Sequence, residues 1–357
     1  MGIIKDSLTF DDVTLIPSFS SILPSEAITT TDLAQKLRLK IPLMSSAMDT
    51  VTESKMAIAL SKAGGLGVIH RNLSIESQVK EVKKVKRSKC IVGAAIGVSE
   101  KDLERAIELN KANVDLLIID TAHGHTTKVS KMIKNVKKKI SRVNLCAGNI
   151  ATGKAAKFLA DSGADIVKVG IGPGSICTTR LVAGIGVPQL SAIIDVKKSL
   201  RNYKTKIISD GGIKFSGDLA KGLAAGADCI MIGSLFSGTN ESPGKIIKIK
   251  GKLYKNFRGM GSVGAMSVGS SDRYYQKKYK DISKYVPEGV EGLVRYKGQV
   301  SKIIYNLVGG LKSSMGYLGS KKIKDLQKNG EFVKITKAGF YESMVHNVDM
   351  VKNDSKY

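Results

Sequence analysis

Short apolar segments alternate with amphipathic segments along most of this chain of 357 residues. Eight of the apolar segments have the length and continuous hydrophobicity of strands that are buried on both faces of a parallel sheet. They cover residues 41–47, 66–70, 91–97, 116–120, 144–148, 166–170, 207–210 and 229–233. Eight strand–helix units predict an α/β fold, a closed (β/α)8 TIM barrel, formed by a single domain over residues 1–357.

The charge of the chain bears on its partners. The formal net charge is +26 and comes mainly from lysine. A nucleic-acid partner would suit this charge, but the lysines are spread over the predicted helices and few aromatic residues lie among them. We therefore expect no specific nucleic-acid binding, and we expect the positive field to favour anionic substrates such as nucleotides.

The cysteines and the apolar segments bear on the compartment. Cys90, Cys146, Cys177 and Cys229 are widely spaced, and no Cys-x-x-Cys pair indicates a zinc site or a redox disulfide. No apolar segment reaches the length that spans a membrane. We expect a cytoplasmic protein without membrane association.

Polar and small residues follow six of the eight predicted strands. These residues are Ser46 and Met48, Asp120, Thr121 and Ala122, Asn149, the segment 170–180, Asp210 and Gly212, and Gly233 and Ser234. Active sites of (β/α)8 barrels lie at the C-terminal ends of the strands. The sequence therefore predicts an active site at this rim.

The glycine-rich loop after the sixth strand contains Cys177. A cysteine on such a loop is a candidate nucleophile, but a small, partly buried thiol in a turn explains the same pattern. The residues of this loop alone leave both interpretations open.

The loops after the last two strands suit a phosphate. Backbone N–H groups at Gly211-Gly212 and Gly233-Ser234 can bind phosphate oxygens, as often happens at this position in barrels. Asp210 can accept hydrogen bonds from ribose hydroxyls or cap the next helix. The two glycines between Asp210 and that helix favour the ribose.

A long segment, residues 250–301, interrupts the alternation after the eighth strand. It is rich in Gly, Ser, Tyr and Lys, and long excursions of this kind are usually functional or disordered. Gly259, Gly261 and Gly264 suit a mobile flap. A final helix is expected at about residues 302–308.

Together these residues resemble the IMP dehydrogenase family over almost the whole chain. The resemblance rests on the segments 8–13, 42–53, 170–180, 209–213, 258–262, 272–274 and 287–292. It implies oxidation of IMP to XMP with NAD⁺, the committed step of guanine nucleotide (GMP) synthesis within purine biosynthesis. It also implies a homotetramer and a requirement for K⁺.

The resemblance assigns the catalytic residues. Cys177 would attack carbon 2 of the hypoxanthine ring and form a covalent thioimidate. Arg273 with Tyr274, helped by Thr179, would activate the water that hydrolyses it. Arginine is an unusual base because its ordinary pKa is very high, so a neighbouring group and a closed, dry site would be needed.

The resemblance also assigns the binding residues. Those implied for IMP are Ser46, Met48, Asn149, Ser175, Asp210, Gly212, Gly233, Ser234, Met260, Gly261 and Glu288. Those implied for NAD⁺ are Asp120, Thr121, Ala122 and Tyr317. Those implied for K⁺ are the backbone carbonyls of Gly172, Gly174 and Cys177, with Glu342, Ser343 and Met344 of a neighbouring subunit.

The chain departs from the family pattern at three places. Residues 82–90 form a short bridge where the family carries a tandem CBS regulatory domain, so regulation through that domain is not expected. Phe257 stands where a tyrosine usually contacts the phosphate, which puts one hydrogen bond in doubt. Ala122 together with Tyr317 is similar to the bacterial type of cofactor site.

Two rival functions remain at this point. GMP reductase shares the barrel, the cysteine loop and this chain length, but it uses NADPH and needs no hydrolytic flap. The segments 120–124, 181–188 and 272–274 favour the dehydrogenase. A basic nucleic-acid-binding protein is the rival of a different class.

Overall fold

The computed structural model describes residues 4–140 and 142–347. In chain order its strands are β1 (Val13–Leu15), β2 (Thr31–Ala34), β3 (Leu37–Leu39), β4 (Leu43–Ser45), β5 (Leu66–Ile69), β6 (Val92–Ile96), β7 (Leu116–Asp120), β8 (Leu145–Ile150), β9 (Ile166–Val169), β10 (Lys206–Asp210), β11 (Cys229–Ile232), β12 (Ile247–Ile249), β13 (Lys252–Arg258), β14 (Glu291–Arg295) and β15 (Phe332–Lys334). Strands β4 to β11 close into a parallel barrel. The predicted (β/α)8 fold is confirmed, and each predicted strand corresponds to one barrel strand.

Helices lie between the barrel strands, and further helices follow the last of them. In chain order they are α1 (Ser54–Lys62), α2 (Ile75–Arg87), α3 (Glu100–Lys111), α4 (Thr127–Lys139), α5 (Gly153–Asp161), α6 (Thr179–Val182), α7 (Gln189–Ser199), α8 (Ser216–Ala224), α9 (Val263–Ala265), α10 (Val300–Tyr317), α11 (Ile323–Asn329) and α12 (Lys337–Glu342). The hydroxyls of Ser74, Ser99, Thr126 and Thr152 accept backbone N–H groups and fix where four of them begin. Because each helix starts just beyond a strand end, these caps also shape the loops at the active-site rim.

The interior of the barrel is a packed core that is closed at one end. The hairpin of β2 and β3 inserts Leu33, Leu37 and Leu39 into the same apolar cluster as Met44 and Leu66 of the barrel. This hairpin lies against the N-terminal strand ends, since the Thr31 hydroxyl donates to the carbonyl of Asp228, just before β11. The opposite rim, where the polar residues lie, stays open.

The flap segment, residues 250–301, has regular structure at both ends. Strands β12, β13 and β14 form an antiparallel sheet, and α9 and short 3₁₀ and π turns lie between β13 and β14. The mobility of this segment stays a prediction. Helix α10 is longer than expected. It continues through Gly309 and Gly310. Glycine is needed at position 310, because a side chain there would overlap Ser216 of α8, against which α10 packs.

Most of the predicted bridge at residues 82–90 is helical. Helix α2 extends to Arg87, and four residues then lead into β6. None of the helices in the described part of the chain is long and apolar enough to cross a membrane.

Candidate active site

A cavity of about 410 Å³ lies at the C-terminal ends of the barrel strands. Most of the residues predicted for the site line it. They are Ser46, Met48, Asp120, Ala122, Asn149, Gly172, Gly174, Ser175, Cys177, Thr179, Asp210, Gly212, Gly233, Ser234, Met260, Arg273, Tyr274 and Glu288. The barrel topology explains this convergence, because parallel strands bring the loops that follow them to one rim.

Cys177 lies in this cavity and is only partly buried. Its thiol lies 3.2 Å from the hydroxyl of Thr179 and donates a hydrogen bond to it. The other three cysteines are buried. Burial raises the pKa of the Cys146 and Cys229 thiols, which favours their inert, protonated form. Among the cysteines, Cys177 therefore has the exposure that a nucleophile requires.

The loop that carries Cys177 is held from two sides. On one side it pairs with the flap segment, since Thr178 N–H donates to Glu288 O at 3.0 Å and Val290 N–H donates to Ile176 O at 3.0 Å. On the other side the Arg180 guanidinium donates to the carbonyls of Ile171 and Val187. These bonds fix the loop.

A network of buried charges crosses the floor of the cavity. Lys168 Nζ donates to Asp120 Oδ1 at 2.9 Å, to Asp210 Oδ2 at 2.8 Å and to Asn149 Oδ1 at 2.5 Å. Asn149 Nδ2 donates in turn to Asp210 Oδ2 at 2.9 Å. Burial opposes the charge of Lys168, but the two carboxylates outweigh it and raise the lysine pKa.

The flap segment reaches the same network through Arg273. Its Nε donates to Asp120 Oδ2 at 2.8 Å, and its Nη1 donates to the Tyr274 hydroxyl at 3.0 Å. Burial disfavours the charged guanidinium, yet the Asp120 carboxylate raises the pKa of Arg273 well above its ordinary value. Burial also opposes ionisation of Asp120, but the charges of Arg273 and Lys168 lower its pKa strongly. The pair is therefore fully ionised at neutral pH.

Two further contacts dock this part of the flap segment. Both carboxylate oxygens of Asp272 accept from Arg71 Nη1 at 2.9 Å. Ala122 N–H donates to the carbonyl of Arg273 at 2.9 Å. Residues 272–274 are thus bound to the loops after β5 and β7, directly over the cavity.

A close approach explains Gly261. A Cβ atom placed there would lie 2.7 Å from Cζ of Tyr274, so a side chain would push the tyrosine away. Gly261 is thus in contact with the site, although it does not line the cavity.

The phosphate side of the cavity offers free backbone donors. Among the described residues, the N–H groups of Gly212, Gly233 and Ser234 have no hydrogen-bond partner. Behind this loop, Lys297 Nζ donates to the carbonyl of Ser234 at 2.6 Å and to that of Leu235 at 3.2 Å. Burial lowers the pKa of Lys297 to about 8. These donors suit an anionic group.

Asp210 has a free acceptor on the same side. Its Oδ2 is used by Lys168 and Asn149, whereas Oδ1 has no hydrogen-bond partner in the described part of the chain. Asp210 does not cap α8, whose N-cap residue is Phe215. The geometry therefore fits an Asp210 that accepts from ribose hydroxyls, and it does not fit an Asp210 that caps the next helix.

The remaining predicted residues lie away from the cavity or are used internally. The Thr121 hydroxyl donates to Gly148 O at 2.8 Å, so it joins β7 to β8. Tyr317 is 70% exposed at the end of α10. Glu342 and Ser343 are exposed around the end of α12, Met344 follows, and none of these three lines the cavity.

The sequence analysis missed Lys168, Lys297 and Arg71. Lys168 is one charged residue within the apolar run of β9. That single charge in a strand expected to be buried on both faces was the available signal, because a buried charge needs a partner. The roles of Lys297 and Arg71 cannot be predicted from the sequence, because both form their contacts only when the flap segment is folded over the rim. Their partners are distant in sequence, as for Arg71 and Asp272, which are 201 residues apart.

Comparison with known proteins identifies the family. The family model described as "IMP dehydrogenase / GMP reductase domain" matches residues 7–346. The chain belongs to this family.

Several relatives within this family are named for one of its two activities. Inosine-5'-monophosphate dehydrogenase of Borreliella burgdorferi is 48% identical over 396 residues, covering 97% of this chain and 98% of the relative. The proteins of the same name from Cryptosporidium parvum and Aquifex aeolicus are 45% and 38% identical, each covering 99% of this chain and 98% of the relative. The Aquifex alignment extends over 483 residues, 126 more than this chain has. The short chain agrees with the lack of a regulatory domain.

Proposed function

We propose that this protein is an IMP dehydrogenase that oxidises IMP to XMP with NAD⁺. The observation that carries the proposal is the position of Cys177. Its thiol lies in one cavity with free phosphate donors on one side and Asp120 on the other. The names of the full-length relatives favour the dehydrogenase over GMP reductase.

IMP would lie between the phosphate donors and Cys177. Ser175, Gly212, Gly233 and Ser234 would bind the phosphate, since their backbone and hydroxyl donors line one wall. Asp210 would accept from the ribose hydroxyls through its free Oδ1. Met260, Gly261 and Glu288 would contact the base, and Ser46, Met48 and Asn149 would complete the pocket.

The first chemical step would form a bond between Cys177 Sγ and carbon 2 of hypoxanthine. The thiol proton passes through its hydrogen bond to the Thr179 hydroxyl and is released to solvent, and carbon 2 loses hydride, so that a thioimidate remains on the enzyme. NAD⁺ supplies the hydride acceptor when it is bound. Asp120 and Ala122 would hold it, because a carboxylate at the end of β7 can accept from a ribose diol.

The second step would be hydrolysis of the thioimidate under the flap segment. Water adds to carbon 2, the sulfur–carbon bond breaks, and XMP leaves. The Arg273–Tyr274 pair would activate this water. Asp120 raises the pKa of Arg273 rather than lowering it, so proton removal by this arginine requires the Asp120 bond to loosen. Both carboxylate oxygens of Asp120 accept from Arg273, so a cofactor ribose would compete with Arg273 for them. Hydride transfer and hydrolysis would therefore take place one after the other.

A monovalent cation, K⁺, would stabilise the cysteine loop. Within the described residues, the carbonyls of Gly172 and Cys177 accept no hydrogen bond, while that of Gly174 accepts from Cys177 N–H at 3.1 Å. Such carbonyls fit a potassium ion. Glu342, Ser343 and Met344 would come from the neighbouring subunit of a homotetramer. Tyr317 would contribute to the cofactor site. We propose a cytoplasmic location.

A direct test follows NADH absorbance after IMP, NAD⁺ and K⁺ are mixed with the protein. GMP with NADPH is the contrast, and oxidation of NADPH without NADH formation would favour the reductase. Cys177→Ala is expected to abolish turnover and to retain IMP binding, while the control Cys90→Ala retains activity. Appreciable turnover by the Cys177 variant would rule out the covalent route.

A further inference from the structure

Lys168 is the centre of the buried charge network and has no role in the proposed reaction so far. Its side chain is 3% exposed, and its Nζ makes three hydrogen bonds, to Asp120, Asp210 and Asn149. An ammonium group has three protons to donate, so every donor is used. A buried lysine with this arrangement is fixed in position.

The partners of Lys168 lie on different sides of the cavity. Asp120 ends β7, on the side proposed for the cofactor, and Asp210 ends β10, on the side proposed for IMP. Three consecutive ion pairs connect four side chains of alternating charge, in the order Arg273, Asp120, Lys168 and Asp210. Two cations and two carboxylates balance, so the cluster is neutral while the flap segment is docked.

We propose that Lys168 is a positioning residue that holds Asp120 and Asp210 in place at once and so couples the cofactor and IMP sites. The proposal rests on the proposed function, which gives these two carboxylates their ligands. Lys168 itself touches neither reacting atom in this scheme. It acts by orienting the acceptors that do bind the two riboses.

The role is most important when the flap segment is away from the cavity. Arg273 then no longer contacts Asp120. Among the described residues, Lys168 is the one cation that still forms an ion pair with the Asp120 carboxylate. Lys168 therefore keeps Asp120 ionised and aligned for a ribose diol. Without Lys168, Asp120 would depend on Arg273 alone, and the docked flap would be favoured over the cofactor.

The test compares Lys168→Met, Lys168→Gln and Lys168→Arg in steady-state assays of NADH formation. Met removes the donors and the charge, Gln retains a donor without charge, and Arg retains both. We expect KM for NAD⁺ and KM for IMP to rise at least tenfold in the Met variant, with partial recovery in the Arg variant. Lys206→Met is the matched control, because Lys206 lies at the start of the neighbouring strand β10 and pairs with Asp228.

A pH profile separates positioning from a purely structural role. The groups that face Lys168 are Asp120 of β7, Cys146 and Asn149 of β8, Asp210 of β10 and Arg273 of the flap segment. The thiol of Cys146 stays protonated because burial raises its pKa. Loss of a nearby cation makes a carboxylate easier to protonate, by about one to three pH units. The acid limb of kcat/KM for NAD⁺ should therefore move to higher pH in the Met and Gln variants.

The possible results are distinct. If the wild-type protein forms no NADH, the proposed function fails. If the wild type is active but the folded Met and Gln variants keep both KM values and the acid limb, the coupling role of Lys168 is overturned. If Lys168→Met does not fold, the Gln variant decides, since it removes the charge and retains an amide that can donate to the carboxylates.

Discussion

Replacing Asp120 with Asn tests how much the buried network stabilises the fold. The change keeps the shape of the side chain and removes the charge that faces Lys168 and Arg273. Lys168 keeps the Asp210 carboxylate, but Arg273 loses the carboxylate with which it is paired. Only neutral acceptors, the Tyr274 hydroxyl and the single amide oxygen of the asparagine, then remain beside the guanidinium. Breaking one partner out of a buried pair costs about 3–5 kcal/mol. Because Lys168 keeps a carboxylate, we expect a loss near 3 kcal/mol.

Urea unfolding at pH 7, followed by circular dichroism, measures this loss. With an m value of about 3 kcal/mol per molar, the midpoint should fall by about 1 M. The matched control is Glu108→Gln, whose partner Lys111 is 66% exposed, so that the loss should be below about 1 kcal/mol. The two variants differ in burial and not in the type of change.

The pH dependence gives an independent check of the same pair. The folded pKa of Asp120 lies below its ordinary value of about 3.9, so its contribution is complete above that pH and is lost as the pH falls further. The stabilities of the wild type and of Asp120→Asn should therefore converge in strong acid. Equal midpoints for Asp120→Asn and Glu108→Gln at pH 7 would refute the reasoning. A smaller loss together with faster proteolysis within residues 270–286 would mean that Arg273 moves into solvent.

Three further changes test the site. Arg273→Ala should slow hydrolysis far more than hydride transfer, so a pre-steady-state NADH burst should persist; loss of the burst would count against its assigned role. Replacing K⁺ with Li⁺ should reduce the rate, and indifference to the ion would argue against the cation site. Phe257→Tyr adds a hydroxyl to a residue that lines the cavity and is 3% exposed. If that hydroxyl reaches the phosphate, KM for IMP should fall about fivefold or more, and an unchanged KM would show that it does not.

The barrel could be predicted because its strands follow a simple physical rule. Strands buried on both faces are continuous apolar runs, and the segments 116–120 and 229–233 follow this pattern. The rim residues followed from topology, since loops after parallel strands meet at one end. Strand bounds were less certain. The predicted segment 41–47 contains only Leu43–Ser45 as strand, because Ser46 and Ala47 already belong to the loop.

The rest of the site depends on contacts that no local pattern contains. Asp120 and Arg273 are separated by 153 residues, and their pairing appears only when the flap segment folds over the rim. The pattern of β9 predicts an apolar strand even with Lys168 in it, because one charge does not change the pattern. The hydroxyl of Thr121, a residue predicted for the cofactor, donates to Gly148 O and so joins two strands, a contact that the local sequence does not reveal.

The hairpin of β2 and β3 determines from which end molecules can enter the cavity. Leu33, Leu37 and Leu39 close the N-terminal end of the barrel with apolar side chains, so exchange through the barrel axis takes place at the opposite mouth. In the described part of the chain, substrate, product and water then use the same entrance, at the C-terminal ends of the strands. A single segment that docks over this entrance can control the passage of substrate, product and water. The timing of its docking can set the order in which these molecules enter and leave.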